Sequence, residues 1–247
     1  MTNNERSEAI LLDTVEEYIH TAEPVSSQHL LKRYEYSLSS ATIRNLMAKL
    51  DEAGFLYQPH ISAGRIPTQK AYRFFADKVE LGLREDPRKK QKTKTGVIST
   101  KFKKELQEAM RTSPDIAALM LSRQLAQLTN SMAFAGLISI NHFYKEGLRY
   151  LLDEPEFLNT ENVRSLLEYT DSLETHLDKL YGAIQSDIRI YVGEFEQQIM
   201  PFSLMAFTSE FPHNEKGVFG IIGPMRMHYG QNLELLNSIR ELFENHD

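Results

Sequence analysis

The chain of 247 residues contains no cysteine. That excludes disulfides and thiolate metal sites, and it suits a cytoplasmic protein. No run of about 18 apolar residues occurs, so no membrane span is expected. The opening MTNNERSEA lacks a basic region followed by an apolar stretch, so no signal peptide is expected either. There is no Gly-x-Ser-x-Gly elbow, no P-loop and no Gly-x-Gly-x-x-Gly. The histidines, at positions 20, 29, 60, 142, 176, 213, 228 and 246, form no i, i+4 ligand pair of a recognisable metal motif. Neither an enzyme nor a metal or cofactor site is expected. Gly217, Gly220 and Gly223 flank a strand-like run and read as strand-edge and turn glycines. Asp153, Glu154 and Glu156, around Pro155, read as turn or helix-capping residues rather than as an acid–base pair. Met225, Arg226, Met227 and Tyr229 suit a pocket, an interface or a plain sheet-to-helix turn.

Residues 39–73, SSATIRNLMAKLDEAGFLYQPHISAGRIPTQKAYR, carry the most information. The serine pair Ser39-Ser40 offers an N-cap. Ile43, Leu46, Met47 and Leu50 then recur at i, i+3, i+4 and i+7, one buried helix face. Ser40, Thr42, Arg44, Asn45 and Lys49 fall mostly away from it, where side chains can reach base edges and phosphates of a major groove. Gly54 ends the helix where a positive φ is commonly needed. Two short apolar runs, 55–57 and 66–67, enclose a polar, basic turn at 59–65, as in a hairpin. Upstream, residues 6–20 form an amphipathic helix, Pro24 marks a loop, and Ser26 caps a second helix through residue 33. Three helices followed by a two-stranded wing is the order of a winged helix-turn-helix.

The net charge of −6 is that of the whole chain and is unevenly spread. From Lys32 to Arg73 seven basic residues face three acids, and from Arg84 to Lys104 nine face two. Screening confines the influence of the distant acidic excess to about 8–10 Å. The second basic run is either a solvated linker or an arm that touches a nucleic-acid backbone.

The length suits two domains. Residues 1–82 are expected to be the winged helix, closing with a helix over 68–83 for which Thr68 is a possible cap. Residues 83–95 read as a basic linker and 96–247 as an α+β domain. In the latter, strands are expected at 96–100, 132–140, 188–192, 203–208 and 218–222. Helices are expected at 101–111, 115–128 (opened by Ser113-Pro114), 160–181 and 233–243.

Three pieces, EPVSSQHLLKRY at 23–34, LSSATIRN at 38–45 and QPHISAGRIPT at 58–68, occur in order with YRFF at 72–75. Together they resemble the heat-inducible transcription repressor family of HrcA type. EGLRYLLDEPEF at 146–157 and GVFGIIGPMRMHYG at 217–230 are similar to later family motifs. The chain departs from the pattern at Leu46, where an acid is usual, and at Ala71, where a glycine is usual. Its middle is also short: only residues 130–146 stand where the family carries more sheet-forming sequence and an inserted dimerisation domain. The resemblance implies a GAF-like fold for the second domain, a homodimer on an inverted-repeat operator of chaperone operons, relief of repression by heat, and a chaperonin that keeps the repressor active. A winged-helix regulator whose GAF-like domain senses a small molecule is the alternative. An enzyme or chaperone-interacting protein without DNA function is a third reading.

The expected DNA contacts are Ser40 and Thr42 at the start of the recognition helix, with Arg44 and Asn45 as candidates for bidentate contacts to guanine and adenine. His60, Ser62 and Arg65 are expected at the wing tip, against the minor groove or phosphates. Lys49, Lys70 and Arg73 are expected on phosphates, setting register rather than sequence. A competing explanation pairs Arg44 with Asp51 or Glu52 inside the domain.

Overall fold

In the computed structural model of the protein, the described residues are 2–34, 36–83, 98–184, 187–195, 198–211 and 214–244. Two compact units emerge. One comprises Met1–Lys78 with Met225–His228, the other Val79–Pro224 with Tyr229–Asp247. The expected basic linker lies almost wholly outside the described residues, as do His213 and His246.

The first unit begins with α1 (Asn3–Thr21), opened by a capping box in which Thr2 accepts from Glu5 and Glu5 answers the Thr2 backbone. Helix α2 (Ser27–Arg33) follows, with the Ser26 side chain accepting from the His29 amide. Helix α3 (Ser40–Glu52) is capped by Ser39, which accepts from the Thr42 amide. Ile43, Leu46, Met47 and Leu50 are its buried face. Leu46 is buried there, so an apolar side chain is at home at this position. Gly54 has φ 74°, which reverses the chain after α3. Strands β1 (Leu56–Tyr57) and β2 (Ile66–Pro67) pair antiparallel. Helix α4 (Gln69–Glu80) completes the unit. The Thr68 hydroxyl donates to the Gly54 and Phe55 carbonyls and so ties the start of α4 to the base of the hairpin.

A buried carboxylate joins α1 to α2. Glu17, only 5% exposed at its side chain, receives His29 Nε2 at 2.7 Å and Arg33 Nε at 3.3 Å. Tyr34 Oη donates to the same group at 3.2 Å. Burial pushes the Glu17 carboxyl up, but the His29 hydrogen bond and charge, with the Tyr34 and Arg33 bonds, outweigh it and hold the group below its ordinary value. A depressed carboxyl contributes stability above its unfolded value and loses it as pH falls through the folded one. The first unit therefore loses stability below about pH 4.5, the ordinary glutamate value. Glu17→Gln is expected to destabilise it at neutral pH by about 1–3 kcal/mol and to flatten that acid limb. Melting curves from pH 3 to pH 7 check both, and an unchanged limb in the variant would remove Glu17 as its source.

The second unit is a five-stranded antiparallel sheet in the order β4-β3-β7-β6-β5. Its strands are β3 (Met132–Leu137), β4 (His142–Glu146), β5 (Arg189–Phe195), β6 (Gln198–Phe211) and β7 (Glu215–Pro224). This is the GAF-like α+β arrangement. Met132–Leu137 is buried at every position, because helices cover both faces of the sheet. On one face Phe134, Phe202, Leu204 and Ile222 pack with Leu166, Tyr169 and Leu173 of α8 (Thr160–Thr175) and Leu180 of α9 (Leu177–Ala183). On the other, Phe207, Phe211 and Phe219 surround Phe243 of α10 (Tyr229–Glu244). Helices α5 (Thr100–Thr112) and α6 (Pro114–Thr129) are capped by Ser99 and Ser113.

Three expectations are corrected. Residues 98–100 form no strand: Ser99 is the N-cap of α5, accepting from the Phe102 amide. The remainder of that expected strand, Gly96 and Val97, lies outside the described residues. The single helix expected over 160–181 is two. The Thr175 hydroxyl donates to the Ser172 carbonyl, and His176 Nδ1 lies 3.0 Å from the same oxygen, so side chains take a carbonyl that the helix ladder would use. The break seats Leu177 directly on Gly136 of β3, where even a methyl group would stand 2.5 Å from it. Third, β4 and the short α7 (Leu148–Leu152) fall where no element was expected. The short middle closes here as a tight hairpin, with Leu137 opposite His142. Asp115, at the start of α6, pins it by accepting from Tyr144 Oη at 2.7 Å and meeting His142 Nδ1 at 2.6 Å.

Candidate nucleic-acid interface

Helix α3, the N-terminal end of α2 and the β1–β2 hairpin enclose a concavity of about 380 Å³ within the first unit. Ser26, Ser27, Arg44, Gln58, Ile61 and Arg65 are among its lining residues. Arg44 is exposed and makes no ion pair among the described residues. The Asp51 carboxylate that could have held it is engaged elsewhere: Arg65 Nε lies 3.1 Å from Asp51 Oδ2. Asn45 and Lys49 are likewise exposed on the face of α3 opposite its buried stripe. Thr42 is exposed, with its hydroxyl 2.9 Å from that of Ser39. Ser40 differs. Its hydroxyl lies 3.0 Å from that of Ser27 and joins α2 to α3, so the helix-to-helix angle absorbs part of its hydrogen-bonding capacity.

The hairpin is braced rather than loose. Gln58 Nε2 donates to the Ile61 carbonyl at 3.0 Å and to the Ala63 carbonyl at 2.8 Å, spanning the turn from inside. His60 Nδ1 lies 3.1 Å from the Ser62 hydroxyl at the tip. At the base, the Val25 amide donates to the Arg65 carbonyl at 2.9 Å and the Arg65 amide to the Val25 carbonyl at 2.8 Å. Gly64 makes that approach possible, since a Cβ there would stand 2.5 Å from the Pro24 and Val25 carbonyl oxygens.

The placement of Arg65 departs from expectation. It stands at the base of the wing, not the tip, with a side chain 15% exposed and committed to Asp51. Lys70 is exposed, but its ammonium donates to the Ala53 carbonyl at 2.9 Å and sits 4.2 Å from the centroid of the Phe55 ring. It meets the C-terminal end of α3, where the helix dipole favours a cation. Arg73 is exposed on α4. The residues that the pattern leaves unmarked are Gln58, Ile61 and Gly64. The small pair Ala63-Gly64 in the turn is the one sequence signal for a close backbone approach.

Comparison with known proteins covers both units. The family model described as HrcA protein C terminal domain matches residues 87–232. A protein of Natranaerobius thermophilus named heat-inducible transcription repressor HrcA is 57% identical over 79 residues, 32% of this chain and 23% of that relative. One of the same name from Trichormus variabilis is 34% identical over 172 residues, 69% of this chain and 45% of the relative. A third, from Brevibacillus brevis, is 27% identical across 99% of this chain and 76% of its own length. The first two matches thus span less than half of each relative. A crystal structure of a hypothetical protein aligns with a TM-score of 0.73 at 20% identity and covers 99% of both chains, which shows a shared fold.

Proposed function

The chain belongs to the HrcA family, and from that premise we propose that it is a DNA-binding repressor of heat-shock (chaperone) operons. It acts as a homodimer on an inverted repeat, and heat relieves repression. The observation that carries this reading is the exposed face of α3, where Arg44, Asn45 and Lys49 make no ion pair among the described residues and stand beside a braced hairpin. A recognition helix must present such side chains to base edges and phosphates in the major groove. Two copies related by a dyad would match the symmetry of the repeat, with half-sites a multiple of about 34–36 Å apart.

Within that reading Arg44 and Asn45 read bases, Thr42 supports them at the helix start, and Lys49 and Arg73 meet phosphates. His60 and Ser62 meet DNA at the wing, Ser40 holds α2 against α3, and Arg65 positions the wing through Asp51. Lys70 steadies the end of α3 and adds positive charge near the backbone. A chaperonin is a further partner, one that helps the repressor reach its active state.

Titration of a duplex carrying the chaperone-operon inverted repeat against a scrambled duplex, at one stated salt concentration, tests the proposal. A preference of at least about a hundredfold, with two protomers bound, is expected; specific binding typically exceeds non-specific binding by 10³–10⁷. Equal weak binding to both duplexes, with and without chaperonin, would overturn it. Arg44→Ala is expected to cost about 1–3 kcal/mol of binding and to relax preference at one base pair. The variant should melt as the wild type does. Lys49→Ala should weaken specific and random DNA alike and lower the salt slope by about one unit; an unaltered slope would take Lys49 off the phosphates.

A further inference from the structure

Ile61 is 99% exposed at the tip of the β1–β2 hairpin, the most exposed large apolar side chain among the described residues. A β-branched apolar side chain held fully in water needs a reason when its loop is rigid. Here the loop is rigid at that residue: Gln58 Nε2 donates to the carbonyl of Ile61 itself and to that of Ala63. The flanking polar side chains, His60 and Ser62, turn to each other at 3.1 Å. The tip therefore presents a methyl-bearing surface, with its neighbouring polar groups partly satisfied. Ile61 lines the same concavity as Arg44, so it stands on the side of the first unit that carries the recognition helix.

Building on the DNA-binding reading, we propose that Ile61 is a specificity-determining contact that enters the minor groove beside each half-site and selects A·T over G·C pairs there. With α3 in the major groove, a hairpin tip on the same side reaches the adjacent minor groove. An isoleucine has no donor for phosphates and no acceptor for the guanine 2-amino group, which projects into the minor groove of G·C pairs. Placed against that group, Ile61 strips it of water without replacing the hydrogen bond. Against A·T pairs it meets smooth sugar walls and a groove floor without that donor. Apolar side chains, isoleucine among them, do enter minor grooves, where they wedge against base steps.

The test uses the full chain and three duplexes that share the inverted repeat and differ only in the pairs flanking each half-site: A·T, G·C or inosine·C. Inosine keeps the major-groove face of guanine and removes the 2-amino group. Wild-type protein is expected to bind the A·T and inosine·C duplexes alike and the G·C duplex about three- to tenfold more weakly, the scale of one lost apolar contact. Ile61→Ser is expected to lose affinity for the A·T duplex, to lose the discrimination, and to keep the wild-type salt slope, since no phosphate contact is removed. It should also melt as the wild type does. Wild-type affinity in Ile61→Ser, or an equal loss on all three duplexes, would overturn the assignment. Failure of the wild type to prefer the inverted repeat over scrambled DNA, with and without chaperonin, would be a different result: it would remove the repressor reading itself, and the wing-tip assignment with it.

Discussion

Gly64→Ala is expected to lower affinity for the inverted repeat more than tenfold while leaving the second unit intact. The added methyl would stand 2.5 Å from the Pro24 and Val25 carbonyl oxygens, and backbone cannot swing aside as a flexible side chain does. Relief requires the hairpin to move away from the loop before α2. That movement breaks both hydrogen bonds between Val25 and Arg65 and pulls Arg65 from Asp51. Overpacking of this kind costs about 1–3 kcal/mol, with about 1 kcal/mol more for each hydrogen bond lost. The first unit should melt earlier, and operator affinity should fall more than tenfold, because a misplaced wing also loses its own contacts. A variant with wild-type melting and binding would show that the Gly64 approach to Val25 is unimportant. Gly54→Ala is a useful control for the melting of the same unit: Gly54 has open space around it and a positive φ of 74°, so only backbone strain is introduced.

Phe202→Ala is expected to be the most damaging single change in the second unit. The ring is fully buried and meets Tyr169 edge-on, with centroids 5.2 Å apart. Truncation of a core phenylalanine costs about 3–5 kcal/mol. In a unit of this size that lowers the melting temperature by roughly 10 °C. The consequence for function depends on where the dimer forms. If the second unit carries dimerisation, its unfolding uncouples the two winged helices, and specific DNA binding should be lost at a correspondingly lower temperature. That would make the marginal stability of this unit the heat sensor, since whatever binds only the folded state shares its melting. Operator binding by Phe202→Ala that persists to the wild-type temperature, despite earlier melting of the second unit, would refute the sensor.

The local elements were legible because their signals are local. Ser26, Ser39 and Ser113 sit where caps are needed, and each accepts from the amide three residues on. The apolar face of α3 follows from a period that any helix must obey. Two of the three corrected expectations fell where a distant partner overrode a local pattern; the third, at residues 98–100, gave way to the local cap of Ser99 on α5. The run from 160 to 181 has helical spacing throughout, yet it breaks at His176 so that Leu177 can settle on Gly136, a residue far away in sequence. Strand β4 carries His142, Tyr144 and Lys145, too polar to be read as a strand. It exists as an edge because β3 offers a free side and Asp115 holds its outer residues.

The candidate site divides along the same line. Side-chain chemistry, helix phase and the positions of Gly54 and Gly64 are properties of the sequence, and they determined that residues 39–73 would make a capped helix with one buried face and a two-stranded hairpin. Which cations stay free was decided only by the tertiary structure. Asp51 is near Arg44 along the helix, and sequence alone left it a candidate partner. The chain's return through β2 delivers Arg65 to that carboxylate, to 3.1 Å, and leaves Arg44 to solvent. The same return places Gln58 under the turn and holds Ile61 out in water. Charge and spacing specify what each residue could do; only the closing of the hairpin onto Val25 settles which of them is occupied and which remains available to a partner.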